Sequence, residues 1–350
     1  MRRFDYSALA KRTWDSEVLM LCSKIHECKG RQELFIRQKP AQLERLTETA
    51  KIQSTEASNK IEGIVTTSTR IRQLVAEKTT PRNRDEMEIL GYRDVLNTVH
   101  ESYEYIDLKP GHILQMHRDM CRHARLSYGG SFKNTQNYIK ELLPDGTERI
   151  RFMPLAPYET PEAIDAICRS YRETLAAETV DPLILIPAFI CDFLCIHPFN
   201  DGNGRMSRLL MLLLLYRSGY MVGKYISLEK QIELTKDSYY SALQDADAGW
   251  HEEKNDPTPF IKYVLMMLLR CYTEFEERVG LMEATGFRGS SYDITKAFVD
   301  SRLGKFTSAD AVENCPGIGP TSVYNALRRL VEEGYIEKHG ERRNAFYVKK

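Results

Sequence analysis

The sequence predicts a mainly α-helical chain, with one β-hairpin set among the helices and a small α+β unit at its C-terminal end. Three observations predict it. Apolar residues recur at helical spacing through most of the stretch 16–278. The character changes over 129–161, where Gly129-Gly130 and a turn at Pro144-Asp145-Gly146 accompany extended candidates. Beyond residue 290 the order is helix, helix-turn-helix and hairpin, the pattern of a winged helix.

In chain order, Val18, Leu19, Leu21, Cys22, Ile25 and Leu34 keep mostly to helical spacing across 16–35, with Gly30 a weak point. Pro40 opens a second helix. The polar stretch 51–62 is expected as a short, partly exposed helix stopped by Gly63. Helices follow at 69–77 and 85–103, separated by breaker-rich 79–83, and then at 113–123 behind Pro110-Gly111. The extended candidates 136–143 and 148–153 make the hairpin. Helices resume at 160–177, 182–196, 205–218, 236–246 and 259–278, and 280–291 is expected as a linker. The last unit has helices at 292–301, 308–314 and 321–333, a turn at Gly317-Ile318-Gly319-Pro320, and two short strands about 339–344.

A chain of 350 residues is long enough for one main domain and a smaller appendage. Basic and acidic residues both number 49, so a nucleic-acid or membrane partner would need a local patch. The opening Met1-Arg2-Arg3-Phe4-Asp5-Tyr6 lacks a secretory pattern, and the apolar run 209–216 is too short to span a bilayer. A cytoplasmic protein with no membrane contact is expected. Eight cysteines without C-x-x-C spacing are expected as reduced core thiols.

The most informative stretch is Ile196-His197-Pro198-Phe199-Asn200-Asp201-Gly202-Asn203-Gly204-Arg205-Met206-Ser207-Arg208. Pro198 disfavours helix at His197, so the preceding helix ends there and leaves an imidazole at its exit. Asp201-Gly202-Asn203-Gly204 turns sharply into a new helix, whose unpaired N–H groups can cradle phosphate oxygens. Asp201 is a hard oxygen ligand suited to Mg²⁺. Arg205 and Arg208, three apart, can both pair with a polyphosphate. A base, a metal ligand, an anion cradle and two guanidinium groups are the parts of phosphoryl chemistry. Neither G-x-x-x-x-G-K-S/T nor G-x-G-x-x-G occurs, which excludes a P-loop or dinucleotide reading.

Residues 197–208 match the signature H-P-F-x-D/E-G-N-G-R-x-x-R at every position, and on them the chain resembles Fic proteins. The likeness extends to 188–194, to Leu114-Gln115-Met116-His117-Arg118 and to Gln136-Asn137-Tyr138-Ile139. The resemblance implies a Fic helical bundle with a β-hairpin flap. The N-terminal helical region would be 1–105, the catalytic core 106–280 and the winged helix 290–350. It implies a protein adenylyltransferase using ATP and Mg²⁺. His197 would deprotonate a Tyr, Thr or Ser hydroxyl of a target protein, or of the enzyme itself, as it attacks the α-phosphorus. Asp201 would hold Mg²⁺, Gly202, Asn203 and Gly204 would form the anion hole, and Arg205 and Arg208 would grip the β- and γ-phosphates. Phe199 would anchor the loop. An unperturbed, largely neutral imidazole suffices for the base.

Ser58-Asn59-Lys60-Ile61-Glu62-Gly63 resembles the inhibitory S/T-x-x-x-E-G/N motif of some Fic proteins, on a helix at about 51–63. Glu62, paired bidentately with Arg208, would stand in the γ-phosphate position. The hairpin resembles the flap on which a target segment adds as a strand. Tyr239 and Tyr240 resemble base-pocket aromatics, with core packing the competing reading; Trp250 and Phe260 are assigned to packing. His112, His117 and His123, spaced for no single helical face, are read as structural or exposed. For 290–350, Ser322, Asn325, Arg328, Arg329, Arg342 and Arg343 suit DNA contact. Nearby Glu332, Glu333, Glu337 and Glu341 nearly cancel that charge, so a dimerisation or target-recruiting module competes equally. Open alternatives are a DNA-binding regulator with a nucleotide-sensing domain, a donor other than ATP, and a homo-oligomer.

Overall fold

The computed structural model describes residues 2–38, 40–142, 146–284, 290–302, 304–315, 318–340 and 345–349. Pro144, Asp145, Gly317, Arg342, Arg343 and the linker stretch 285–289, all invoked above, lie outside the described residues. At the centre are α7 (Pro182–Ile196) and α8 (Asn203–Arg217), which pack on each other and are buried almost all round. Helices apolar on every face have to sit inside, because a one-sided stripe would leave apolar area in water. The loop 197–202 that joins them is therefore carried on the most rigid part of the molecule.

Around that pair, α6 (Thr160–Ala176) packs on α7, and α11 (Thr258–Ala284) lies between α7 and α1 (Ser16–Gln38). Asp192 of α7 is buried and is satisfied by Trp250 Nε1 at 2.7 Å, Tyr6 Oη at 2.9 Å and the Arg2 guanidinium at 3.6 Å. These contacts tie the N-terminal segment to the core, as a buried carboxylate requires.

The stretch expected as a short, partly exposed helix is the second half of one longer helix, α2 (Pro40–Ile61). Ser54, Thr55, Ala57, Ser58, Asn59 and Ile61 are all buried. It lies against α4 (Arg84–Ser102) and α9 (Leu228–Leu234), where several of its polar side chains find partners. Ser54 Oγ donates to Glu229 Oε2 at 2.7 Å, and Lys60 Nζ pairs with Glu233 at 2.6 Å. Hydropathy understated its burial because Ser54 and Ser58 are held inside by hydrogen bonds rather than by apolarity.

The smaller helices are α3 (Ser68–Val75), α5 (Pro110–Cys121) and α10 (Lys236–Asp247). The hairpin is β1 (Ile139–Leu142) antiparallel to β2 (Glu148–Phe152), in register Lys140↔Ile150 with a bulge beside Ile139. Tyr138, Ile150 and Met153 are exposed on it. Beyond the linker come α12 (Ser291–Asp300), β3 (Lys305–Thr307), α13 (Ser308–Asn314), α14 (Pro320–Glu332), β4 (Ile336–His339) and β5 (Phe346–Lys349). The strands form one antiparallel sheet in the order β3-β5-β4 over a separate core of Phe298, Val299, Phe306, Leu327, Leu330 and Ile336. The chain is thus a mainly helical bundle with a small β-containing C-terminal region. All eight cysteines are buried and unpaired, and among the described residues no helix is long and apolar enough to cross a membrane.

Candidate active site

α7 ends in an unusual conformation. His197 is left-handed, with φ 53° and ψ 64°, and its N–H still bonds to Phe193 O at 2.9 Å. A non-glycine residue there costs of order 1–2 kcal/mol and persists only where its surroundings impose it. Pro198 removes the helical alternative. The His197 Nδ1 lies 3.1 Å from Leu194 O, which places the proton on Nδ1 and leaves the Nε2 lone pair to accept another. Burial lowers the imidazole pKa to about 4, with nearby Lys133 adding to the fall. The unperturbed ring expected above is corrected accordingly: the imidazole is held neutral by desolvation.

The loop folds over Phe199, which is fully buried and stacked on His117 at 3.7 Å between ring centroids. Asn203 closes the turn with its side chain, accepting from Phe199 N–H at 2.9 Å and donating to Phe199 O at 2.8 Å. Gly202 has φ 82°, a left-handed conformation that favours glycine. α8 starts immediately afterwards, and its first N–H groups face the bend.

Asp201 keeps a side chain 54% exposed, accepting from Gly202 N–H at 2.6 Å and Tyr128 Oη at 3.3 Å. Arg205 is buried and turned to Glu88 Oε2 at 2.9 Å, with Asp201 farther off at 3.9 Å. Arg208 is 1% exposed. It donates through Nε to Ser58 Oγ at 2.9 Å, and through Nη2 to Ser58 O at 2.8 Å and Glu62 Oε1 at 2.8 Å. The bidentate pairing expected for Glu62 is a single contact instead, and Ser58 engages Arg208 Nε and Nη2 beside it. A methyl group on Gly204 would collide with Glu62 Oε1, so this carboxylate sits on the first turn of α8, where the positive end of the helix favours an anion.

Tyr239 and Tyr240 diverge. Tyr239 is 2% exposed and packs edge-on with Phe260 and Tyr263, whereas Tyr240 is 43% exposed beside Lys236. Trp250 and Phe260 are core residues. Sequence reasoning passed over His117 as merely structural or exposed and gave no role to Glu88, Tyr128, Lys133 or Asn137. His117 Nε2 lies 3.1 Å from Asp201 O, its Nδ1 accepts from Gly130 N–H at 3.1 Å, and burial lowers its pKa to about 4. Gly129-Gly130 in the loop after α5 and the family likeness at Leu114-Gln115-Met116-His117-Arg118 were the signals available at that ring.

Comparison with known proteins agrees with this geometry. The Fic/DOC family profile matches residues 107–215. The protein adenylyltransferase Fic of Culex quinquefasciatus is 28% identical over 234 residues, 64% of this chain and 41% of that protein. Protein adenylyltransferase fic-1 of Caenorhabditis elegans is 28% identical over 184 residues, 52% of this chain and 32% of its own. The chain thus spans less than half the length of these curated relatives. In fold, a Fic family protein from Desulfovibrio desulfuricans G20 superposes over 97% of both chains with a TM-score of 0.64 at 20% identity. Fic-1 of C. elegans superposes over 77% of this chain and 74% of that one, with a TM-score of 0.58 at 22% identity. The chain therefore carries a Fic/DOC-family domain on a Fic-like helical bundle and is related to known protein adenylyltransferases.

Proposed function

We propose that this chain transfers AMP from ATP to a Tyr, Thr or Ser hydroxyl of a protein, itself included, and that Glu62 restrains it. One observation carries the reading: a desolvated, Nδ1-anchored His197 shares a single loop with the N-terminus of α8, where an anion is already bound in the form of Glu62. His197 Nε2 accepts the hydroxyl proton as the oxygen bonds to the α-phosphorus, and pyrophosphate leaves as the bond to the β-phosphate oxygen breaks. Arg208, released from Glu62, holds the terminal phosphate, and Arg205 exchanges Glu88 for the β-phosphate. Gly202, Asn203 and Gly204 supply N–H groups, and Tyr240 is the aromatic with a free face for adenine.

The residues present fit Mg²⁺. Asp201 offers one exposed carboxylate, and magnesium binds through one or two carboxylates with phosphates and water completing its shell. Bound there, the ion would neutralise charge on the phosphate oxygens.

The C-terminal region we take as a winged helix that recruits a target rather than reading DNA. Arg328 and Arg329 on α14 pair with Glu332 at 3.7 Å and Glu333 at 2.8 Å, which removes the cationic excess that duplex binding needs. Retardation of random duplex DNA at low salt would contradict this. For the transferase itself, incubation with α-labelled and γ-labelled ATP decides. Label reaching protein from the α position supports the reading, and label from the γ position overturns it.

A further inference from the structure

The catalytic loop is gripped from a second side, by residues outside the signature. Lys133, on the segment leading to the flap, is 3% exposed. Its Nζ donates to Ile196 O at 2.9 Å, and its backbone N–H donates to Pro198 O at 2.8 Å. Asn137 Nδ2 donates to His197 O at 3.3 Å and to Phe199 O at 2.9 Å. Lys133 Nζ also donates to Asn137 Oδ1 at 3.0 Å, which fixes the amide orientation. The carbonyls of four consecutive residues, Ile196 to Phe199, are thus held by two side chains and one backbone N–H.

Such a grip answers the cost of the left-handed His197. A strained backbone keeps its geometry only where neighbours over-determine it. The strand β1 begins two residues after Asn137, so the same residues connect the base to the hairpin.

We propose that Lys133 and Asn137 are positioning residues for the transfer reaction, holding the loop backbone so that His197 presents Nε2 to an acceptor hydroxyl brought in along the flap. The proposal rests on the transferase reading above. Neither residue approaches the phosphate-binding groups Arg205, Arg208 or Gly204, so their loss acts on turnover and spares nucleotide binding.

The test uses the full chain with Glu62→Gly as background. Lys133→Met removes the ammonium and keeps the stem; misplacement of the base by about 1 Å is expected to lower kcat about 100-fold, with KM for ATP changed by no more than about twofold. Asn137→Ala, at a half-buried position that tolerates truncation, lowers kcat about 10-fold with the same unchanged KM. Lys133→Arg recovers part of the loss. If the Glu62→Gly background itself transfers no AMP, the transferase reading fails. If the background is active and Asn137→Ala keeps its kcat within about twofold, or if ATP affinity falls together with kcat, positioning is overturned. Should Lys133→Met not fold, Asn137→Ala alone decides.

Discussion

The carboxylate of Glu62 stands 2.8 Å from the Arg208 guanidinium, over Gly204 in the first turn of α8. It is placed there by the end of α2, where Gly63 at φ 80° ends the helix and Lys236 Nζ bonds to Ile61 O at 2.7 Å. Under the proposed function, this side chain and a triphosphate would compete for one arginine and one helix terminus, each state of the site excluding the other.

Ser58 makes that arrangement cooperative. Ser58→Ala leaves the buried Arg208 Nε without its 2.9 Å partner, at a cost of about 1–3 kcal/mol. The free energy of unfolding is expected to fall by that amount, and the urea midpoint with it. With the seat of α2 loosened, basal AMP transfer is expected to rise. An unchanged midpoint in a urea titration would show that Ser58 Oγ carries no weight there.

The pH profile follows from burial. His197 sits at about 4 because desolvation disfavours its charged form. The sign is then fixed: the neutral base is present above that value and is lost only as pH falls through it. In the Glu62→Gly variant, kcat/KM should show no inflection near 6.5, the ordinary imidazole value. An acid limb centred there would mean that the ring is solvated in the working enzyme.

His117 supports the Asp201 end of the loop. His117→Phe keeps the stack on Phe199 but loses the contacts to Asp201 O and Gly130 N–H, at about 1 kcal/mol each. The expected result is a less stable protein whose ATP affinity falls more at limiting Mg²⁺ than at saturating Mg²⁺. Equal loss at both concentrations would detach His117 from Asp201.

Much of the site was legible because its chemistry lies within twelve consecutive residues. From His197 to Arg208, turn formers, carboxylate and arginines follow one another in sequence, and local rules suffice. α7 and α8 were legible for a related reason: segments apolar all round have nowhere to go except the core. The supports were not legible. His117, Lys133, Asn137 and Glu88 are 60 or more residues away from the loop atoms they contact, and although His117 and Asn137 lie in stretches that resemble the family, no local pattern gives those contacts. The burial of α2 was missed for the converse reason. Ser54 and Ser58 are polar, and only Glu229 and Arg208, distant in sequence, make an interior position acceptable. The single contact between Glu62 and Arg208 likewise depends on where Ser58 falls on that helix.

The most direct test is the rate of AMP incorporation from α-labelled ATP, with Mg²⁺ saturating, for the wild-type chain, Glu62→Gly, and Glu62→Gly combined with His197→Ala. Removing the carboxylate frees Arg208 and the α8 terminus, so the first variant should be faster by about 10-fold or more and the double variant silent. Equal rates in wild type and Glu62→Gly would contradict the restraint, and undiminished labelling without the imidazole would contradict the role given to His197.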